Sequence, residues 1–279
     1  MNEFATPRPI VVGIDGSKAA IRAALWAVDE AVIRGAPLRL FYAAERADAE
    51  EVAAEMGIRR AIKAIEATSK PVTIETQVVE GPAIGSLLGA SASAAMVCVG
   101  AVGLRHFRPG RVGSVAAALA VSARCPVGIV RTHDDRVRLP GAEIVVELDG
   151  SPDNGVLLGA AVMEAGLRNA AIRAIIGRPA ARDEQWPTSI RQAEGDRRAL
   201  ADLDRRLARW KRRHPDVRME SVAVHGGLLE YLTYHRRSVG LVVVGARNGQ
   251  QVRELVGPAG SAALQDSGCS VLIVNQQHL

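Results

Sequence analysis

Short apolar runs alternate along this chain with longer stretches whose apolar positions recur at helical spacing. The first run, Ile10–Asp15, reads as a strand. The pattern then gives a helix over Lys18–Arg34 with Gly35 as its C-cap, a strand over Leu38–Ala43, and a helix over Ala47–Thr68. A third strand over Val72–Val79 stops at Glu80-Gly81-Pro82. A short helix over Ala83–Ser91, a strand over Met96–Val99, a helix over Ser114–Ser122 and a fifth strand over Val127–Arg131 follow. Strands alternating with helices, and strands that are apolar on both faces, predict a parallel sheet with helices on each side.

The order then repeats. Ile10-Val-Val-Gly-Ile-Asp15-Gly-Ser17 is echoed by Ile144-Val-Val-Glu-Leu-Asp149-Gly-Ser151, and Gly113…Cys125 by Gly257…Cys269 at the same spacing. The predicted fold is therefore α/β: two tandem doubly wound, Rossmann-like domains, each with a mainly parallel five-stranded sheet. The expected domains are residues 1–133 and 140–279, joined by a linker at Thr132–Ala142 that carries Pro140-Gly141. The second copy differs in its helices. Its second, Arg191–Arg213, is long and basic, and its third, Leu228–His235, is short.

Composition sharpens this picture. Aromatic residues make up 3% of the 279, so the core has to be built from Ala, Val, Leu and Ile. No apolar run approaches the roughly 20 residues of a membrane span, and the N-terminus lacks the basic and apolar regions of a signal peptide. The three cysteines, Cys98, Cys125 and Cys269, sit in or beside apolar runs. They suggest a reducing, cytoplasmic setting rather than a disulfide framework or a catalytic thiol. The net charge of +5 raises a nucleic-acid partner, but the arginines of 191–213 alternate with Glu194, Asp196, Asp202 and Asp204, as on a solvated helix face.

The chemistry concentrates after the fourth strand. Gly100, Gly103 and Gly113-Ser114 stand at a strand exit and a helix start, where bare backbone can approach an anion and unpaired helix N–H groups can hold it. Ser114 adds a hydroxyl at that entrance. No Lys follows Gly113-Ser114, so this is not a Walker A loop, and it is not the dinucleotide pattern of a first strand. Asp15 ends the first strand and would meet Gly100 at the crevice where strand order reverses. Taken alone, Asp15 reads either as a ligand contact or as an Asx turn ahead of Ser17.

The spacing G-x2-G-x9-G-[ST] resembles that of the ATP-binding universal stress proteins, and nearly the whole chain looks like a tandem member of that family. The resemblance implies that Asp15 lies by the ribose and that Ala43, or Ala44, meets adenine through its backbone. It implies that Gly100, Gly103, Gly113 and Ser114 hold phosphate and ribose. Val115 supplies the next helix N–H, and Gly13 belongs to the same constellation. ATP, with Mg2+ accompanying the triphosphate, is the implied ligand. Arg105, Arg108 and Arg111 in the insert Leu104–Val112 are either phosphate contacts or solvated, and His106 reads as exposed. In the second copy Asn248 stands where the second glycine belongs, and Pro258 has neither hydroxyl nor N–H, so weak or absent ATP binding is expected there. A rival alignment uses Gly249 and Gly260-Ser261.

No catalytic constellation accompanies the loop, so the expectation is a regulatory, stress-response ATP-binding protein. A slow ATP hydrolase or nucleotidyl-transfer enzyme on the same fold, and a nucleotide-free interaction scaffold, are the alternatives. The fifth strands, Val127–Val130 and Val271–Val274, are apolar edges suited to pairing in a homodimer or an intrachain pseudo-dimer.

Overall fold

The computed structural model describes residues 7–45, 47–103, 112–131, 142–149, 154–178, 187–235 and 238–275. The expected insert residues Arg105, His106, Arg108 and Arg111, and linker positions 132–141, lie outside them.

The first half folds as β1 (Ile10–Gly13), α1 (Lys18–Arg34), β2 (Leu38–Ala44), α2 (Ala47–Glu66), β3 (Ile74–Glu80), α3 (Ala83–Ala90), β4 (Met96–Gly100), α4 (Ser114–Ser122) and β5 (Val127–Val130). The second half gives β6 (Glu143–Glu147), α5 (Asn154–Arg168), β7 (Ile172–Arg178), α6 (Pro187–Arg213), β8 (Met219–His225), α7 (Leu228–Tyr234) and β9 (Val239–Gly245). It ends with α8 (Gly249–Val256), α9 (Pro258–Ser267) and β10 (Ser270–Val274). The chain is α/β with a mainly parallel arrangement of strands.

Two compact units form. The first takes in Met1–Thr132 together with Ala246–Ala262 and Ser270–Leu279; the second is His133–Gly245 with Ala263–Cys269. In the first unit the strand order is β3-β2-β1-β4-β5-β10. The pairs from β3 to β5 are parallel, and β10 joins β5 antiparallel, with Val271 opposite Ile129 and Ile273 opposite Val127. The apolar edge of β5 is thus covered by backbone pairing within the chain, the common resolution of an exposed edge. Ser270 Oγ accepts the Arg131 N–H at 3.1 Å and Asn275 Nδ2 donates to the Ala123 carbonyl at 3.1 Å, which fixes the register at both ends.

The order reverses at β1: β2 and β3 lie to one side, β4 and β5 to the other. Right-handed crossovers then put α1 and α2 on one face and α3 and α4 on the other. Ile10, Val12, Leu38, Leu40, Met96, Val97 and Cys98 are all at most 2% exposed, as strands covered on both faces require. Burial pushes the Cys125 thiol up to about 12, against smaller opposing backbone hydrogen bonds at Val97 and Cys125, so this sulfur stays protonated and inert.

In the second unit the order is β9-β6-β7-β8, all parallel. The amphipathic α6 buries Leu203 and Leu207 and turns its charges outward, with Asp202 paired to Arg205 and Arg206 and Asp204 to Lys211. These exposed pairs make α6 a solvated face on which the acids neutralise part of an excess of basic residues. Among the described residues, no helix is long and apolar enough to cross a membrane.

Candidate functional site

The reversal of strand order at β1 leaves a crevice beyond the carboxyl ends of β1 and β4. Asp15 enters it from β1. Its Oδ1 accepts the Ser17 N–H at 2.9 Å, an Asx turn, while Ser17 caps α1 by accepting the Ala20 N–H at 3.0 Å. The other oxygen, Oδ2, faces the β4–α4 loop. A Cβ placed on Gly103 would stand 2.7 Å from it. The Asx turn and the approach to the loop are therefore two jobs of one carboxylate, each done by a different oxygen.

Gly100 closes β4 against the first turn of α1. A Cβ there would stand 2.7 Å from Ala19 Cβ and 2.8 Å from the Ala19 carbonyl carbon. That neighbour is backbone and cannot swing aside. Gly100→Ala is expected to lower the unfolding free energy by about 1–3 kcal/mol as an overpacked contact. Chemical denaturation checks this, and an unchanged midpoint would show that the contact relaxes freely.

Gly113 is the N-cap of α4 and lacks a side-chain cap; its N–H donates to the Ala101 carbonyl at 2.8 Å and its carbonyl opens the helix by accepting from Ala117 at 2.9 Å. The sequence suggested Ser114 as a capping hydroxyl. The structure makes it the first helical residue, exposed, with no capping bond from its side chain. The N–H groups of Ser114 and Val115 belong to the first turn, whose donors have no intrahelical acceptor. Val112 N–H reaches Ser261 Oγ at 3.2 Å, which fixes the loop's return.

Ala43 lies on β2 beyond the end of β1. The carbonyls of Pro37 and Phe41 accept from Ile10 and Ile14, so odd-numbered β2 residues direct their backbone groups toward β1. At Ala43 that direction opens past Gly13, the last residue of β1. Ala44 points the other way, and its carbonyl accepts the Gly81 N–H at 2.8 Å. Of the two alanines, only Ala43 has backbone polarity facing the crevice. Gly13 sits further back: a Cβ there would meet Val99 and Leu87 at 3.1 and 3.2 Å, so it makes room for packing between β1, β4 and α3.

The second copy keeps Asp149, Gly245 and Gly257 but is built differently around them. Glu147 replaces Gly13. Gly177, in register with Glu147's neighbouring strand at the position of Ala43, would place a Cβ 2.7 Å from the Glu147 carboxylate. A carboxylate therefore stands where the first copy leaves open space. Asp149 is exposed. The counterpart of the glycine loop is not a loop: Asn248 caps α8 through Oδ1 on the Gln251 N–H at 3.2 Å, and Val252 and Leu255 anchor the helix. Gly257 ends α8, Pro258 starts α9, and Gly260 lies inside α9, close against the Glu254 and Leu255 backbone. Both α4 and α9 thus begin directly after the glycine twelve residues ahead of a cysteine, the alignment that the spacing favoured. Sequence reading missed α8, although its signals (Asn248 as cap, Val252 and Leu255 three apart, Gly257 as stop) are all present.

Comparison with known proteins agrees with this architecture. The model described as "Universal stress protein family" matches residues 7–131 and 142–275. The chain is 50% identical over 289 residues to universal stress protein Rv2028c of Mycobacterium tuberculosis, with all of both chains covered. It is 39% identical to Rv2624c of the same organism, with 97% of each covered. A crystal structure of a universal stress protein from Archaeoglobus fulgidus superposes with a TM-score of 0.68 over 97% of each chain at 14% identity, which speaks to the fold alone.

Proposed function

The chain belongs to the universal stress protein family, and on that premise we propose that it binds ATP in the crevice of its first copy and acts as a regulatory protein for which ATP is a sensed ligand rather than a fuel. The observation that carries this reading is the approach of the Asp15 carboxylate to the bare Cα of Gly103 at the reversal of strand order. A side chain there would fill the space a nucleoside and its phosphates need.

The residues present fit such a ligand. Asp15 Oδ2 is an acceptor for ribose hydroxyls, and the Ala43 backbone offers a donor and an acceptor to an adenine edge. Gly103, Ser114 and Val115 bring N–H groups to the phosphates, Gly113 opens α4 so that its positive end faces them, and the Ser114 hydroxyl is exposed beside them. Bound ATP supplies concentrated negative charge, and Mg2+ travelling with it keeps much of its own water shell.

In the second copy the Glu147 side chain takes up the space beside Gly177, which opposes a ligand there. Because ATP stabilises the state that binds it, its concentration sets the population of the loaded form and hence of any partner surface that depends on it.

Titration calorimetry of the nucleotide-stripped chain with ATP is expected to give one site per chain. Two sites would remove the assignment to the first copy; no binding would favour the nucleotide-free scaffold. Steady release of phosphate, lost with Ser114→Ala, would favour the enzyme.

A further inference from the structure

On the α3 face of the first unit the sheet carries a groove of about 250 Å³ between β2, β3 and α3, lined by Arg39, Phe41, Gln77, Val79, Ser86 and Ala90 among others. Its counterpart in the second unit is full. Ser86 is the fourth residue of α3, and the fourth of α7 is Tyr231. Ala90 is the eighth, and the residue in that place after α7 is His235. The Tyr231 and His235 rings stack at 4.0 Å between centroids and 11° between planes, and Tyr231 is 2% exposed.

The surroundings of the two places correspond as well. Arg39 pairs across β2–β3 with Glu75 at 2.8 Å, and Arg173 pairs across β7–β8 with Glu220 at 3.2 Å, with Glu143 also on Arg173. The Tyr231 hydroxyl lies in the field of Arg173, and burial keeps it protonated, pushing its pKa up to about 12. One scaffold therefore appears twice in the chain, once with a neutral phenol ring in place and once with two small residues and open space.

We propose that the groove under α3 is a binding site for a small molecule bearing a single neutral phenol ring. The ring would lie where Tyr231 lies in the other copy, its face on Phe41 and Val79 and its hydroxyl toward Arg39 and Gln77. The volume exceeds the roughly 150 Å³ that suffices for a benzene ring. Phe41, Val79 and Ala90 give the ring apolar contact, and Arg39, Gln77 and Ser86 give the hydroxyl polar partners that the Tyr231 hydroxyl lacks among the described residues of the other copy. The groove borders Ala43, which pairs with Val79, but its reading does not depend on the nucleotide reading.

The test uses p-cresol, the tyrosine side chain as a free molecule, titrated into the full chain and followed by NMR. The expected result is a Kd on the order of 1 mM, with intermolecular NOEs from the ring to the Val79 methyls and the Ala90 methyl. Ser86→Tyr supplies the ring from the chain itself. It is expected to raise Tm by about 2–4 °C and to weaken p-cresol binding at least tenfold, on the order of the loss of a whole site. Absence of those NOEs in the natural chain, undiminished binding in Ser86→Tyr, or a lowered Tm would each overturn the proposal. Should the variant not fold, the NOEs in the natural chain decide alone. A chain that binds p-cresol at Val79 and Ala90 but not ATP upholds this site while removing the nucleotide reading.

Discussion

Gly103→Ala is expected to weaken ATP binding by about 10–100-fold, the range of one lost hydrogen bond to a charged group, while leaving the unfolding midpoint almost unchanged. The added Cβ would stand 2.7 Å from Asp15 Oδ2. That oxygen is the end of a side chain, so it moves aside at little cost to the fold. Its movement takes it from the position proposed for the ribose, and the new methyl occupies the same space. Oδ1 keeps the Ser17 N–H, so the start of α1 holds. The contrast with Gly100→Ala is the informative part. There the obstacle is Ala19 backbone, and stability falls. Two alanines three residues apart in one loop thus separate binding from folding. Calorimetry and urea unfolding on both variants check this. Unaltered ATP affinity in Gly103→Ala would remove Asp15 and Gly103 from the site, and equal losses of stability in the two would show that the loop acts only as structure.

Arg34→Ala is expected to cost about 3–5 kcal/mol of stability. Glu30 is fully buried in α1 and pairs with Arg34 one turn on, and Arg34 also donates to the Glu30 carbonyl at 3.2 Å. The order, glutamate ahead of arginine at i,i+4, suits the helix dipole. Removing the guanidinium takes away the cation that pairs with this buried carboxylate. The Arg34 side chain is 25% exposed, so water reaches the vacated place and the loss falls toward the lower end of the range. The second copy repeats the arrangement with Glu164 and Arg168 in α5. A buried pair is often replaceable as a whole, so the double variant Glu30→Leu/Arg34→Leu is expected to recover most of the loss. Equal urea midpoints for the single and the double variant would show that the buried charge is not what the single variant exposes.

The strands and helices of the first copy were legible because their signals are local. Period two or 3.6, a glycine stop after Arg34 and the Gly-Pro break at Gly81-Pro82 each act within a few residues. Ends differed by a residue or two: β1 stops at Gly13 rather than Asp15, because Ile14 N–H makes the last ladder bond and Asp15 turns away into its Asx turn. The internal repeat, the loop spacing and the family were legible for the same reason. α8 was not. Its glycine at the start and its eight residues argue against a helix on propensity alone. It forms because Asn248 caps it and because Val252 and Leu255 find a buried surface, with α4 packed alongside.

By itself the sequence determined the element order, the duplication and the residue types brought to each strand end. Only the tertiary structure decided which oxygen of Asp15 is left to face Gly103, which of Ala43 and Ala44 turns its backbone to the crevice, and that Glu147 fills the second crevice beside Gly177. It also decided that Tyr231 and His235 close in one copy the groove that Ser86 and Ala90 leave open in the other. Periodicity is a property of neighbouring residues along the chain. A contact across the sheet depends on strand order, register and the direction of each backbone dipole, and those are set when distant segments pack.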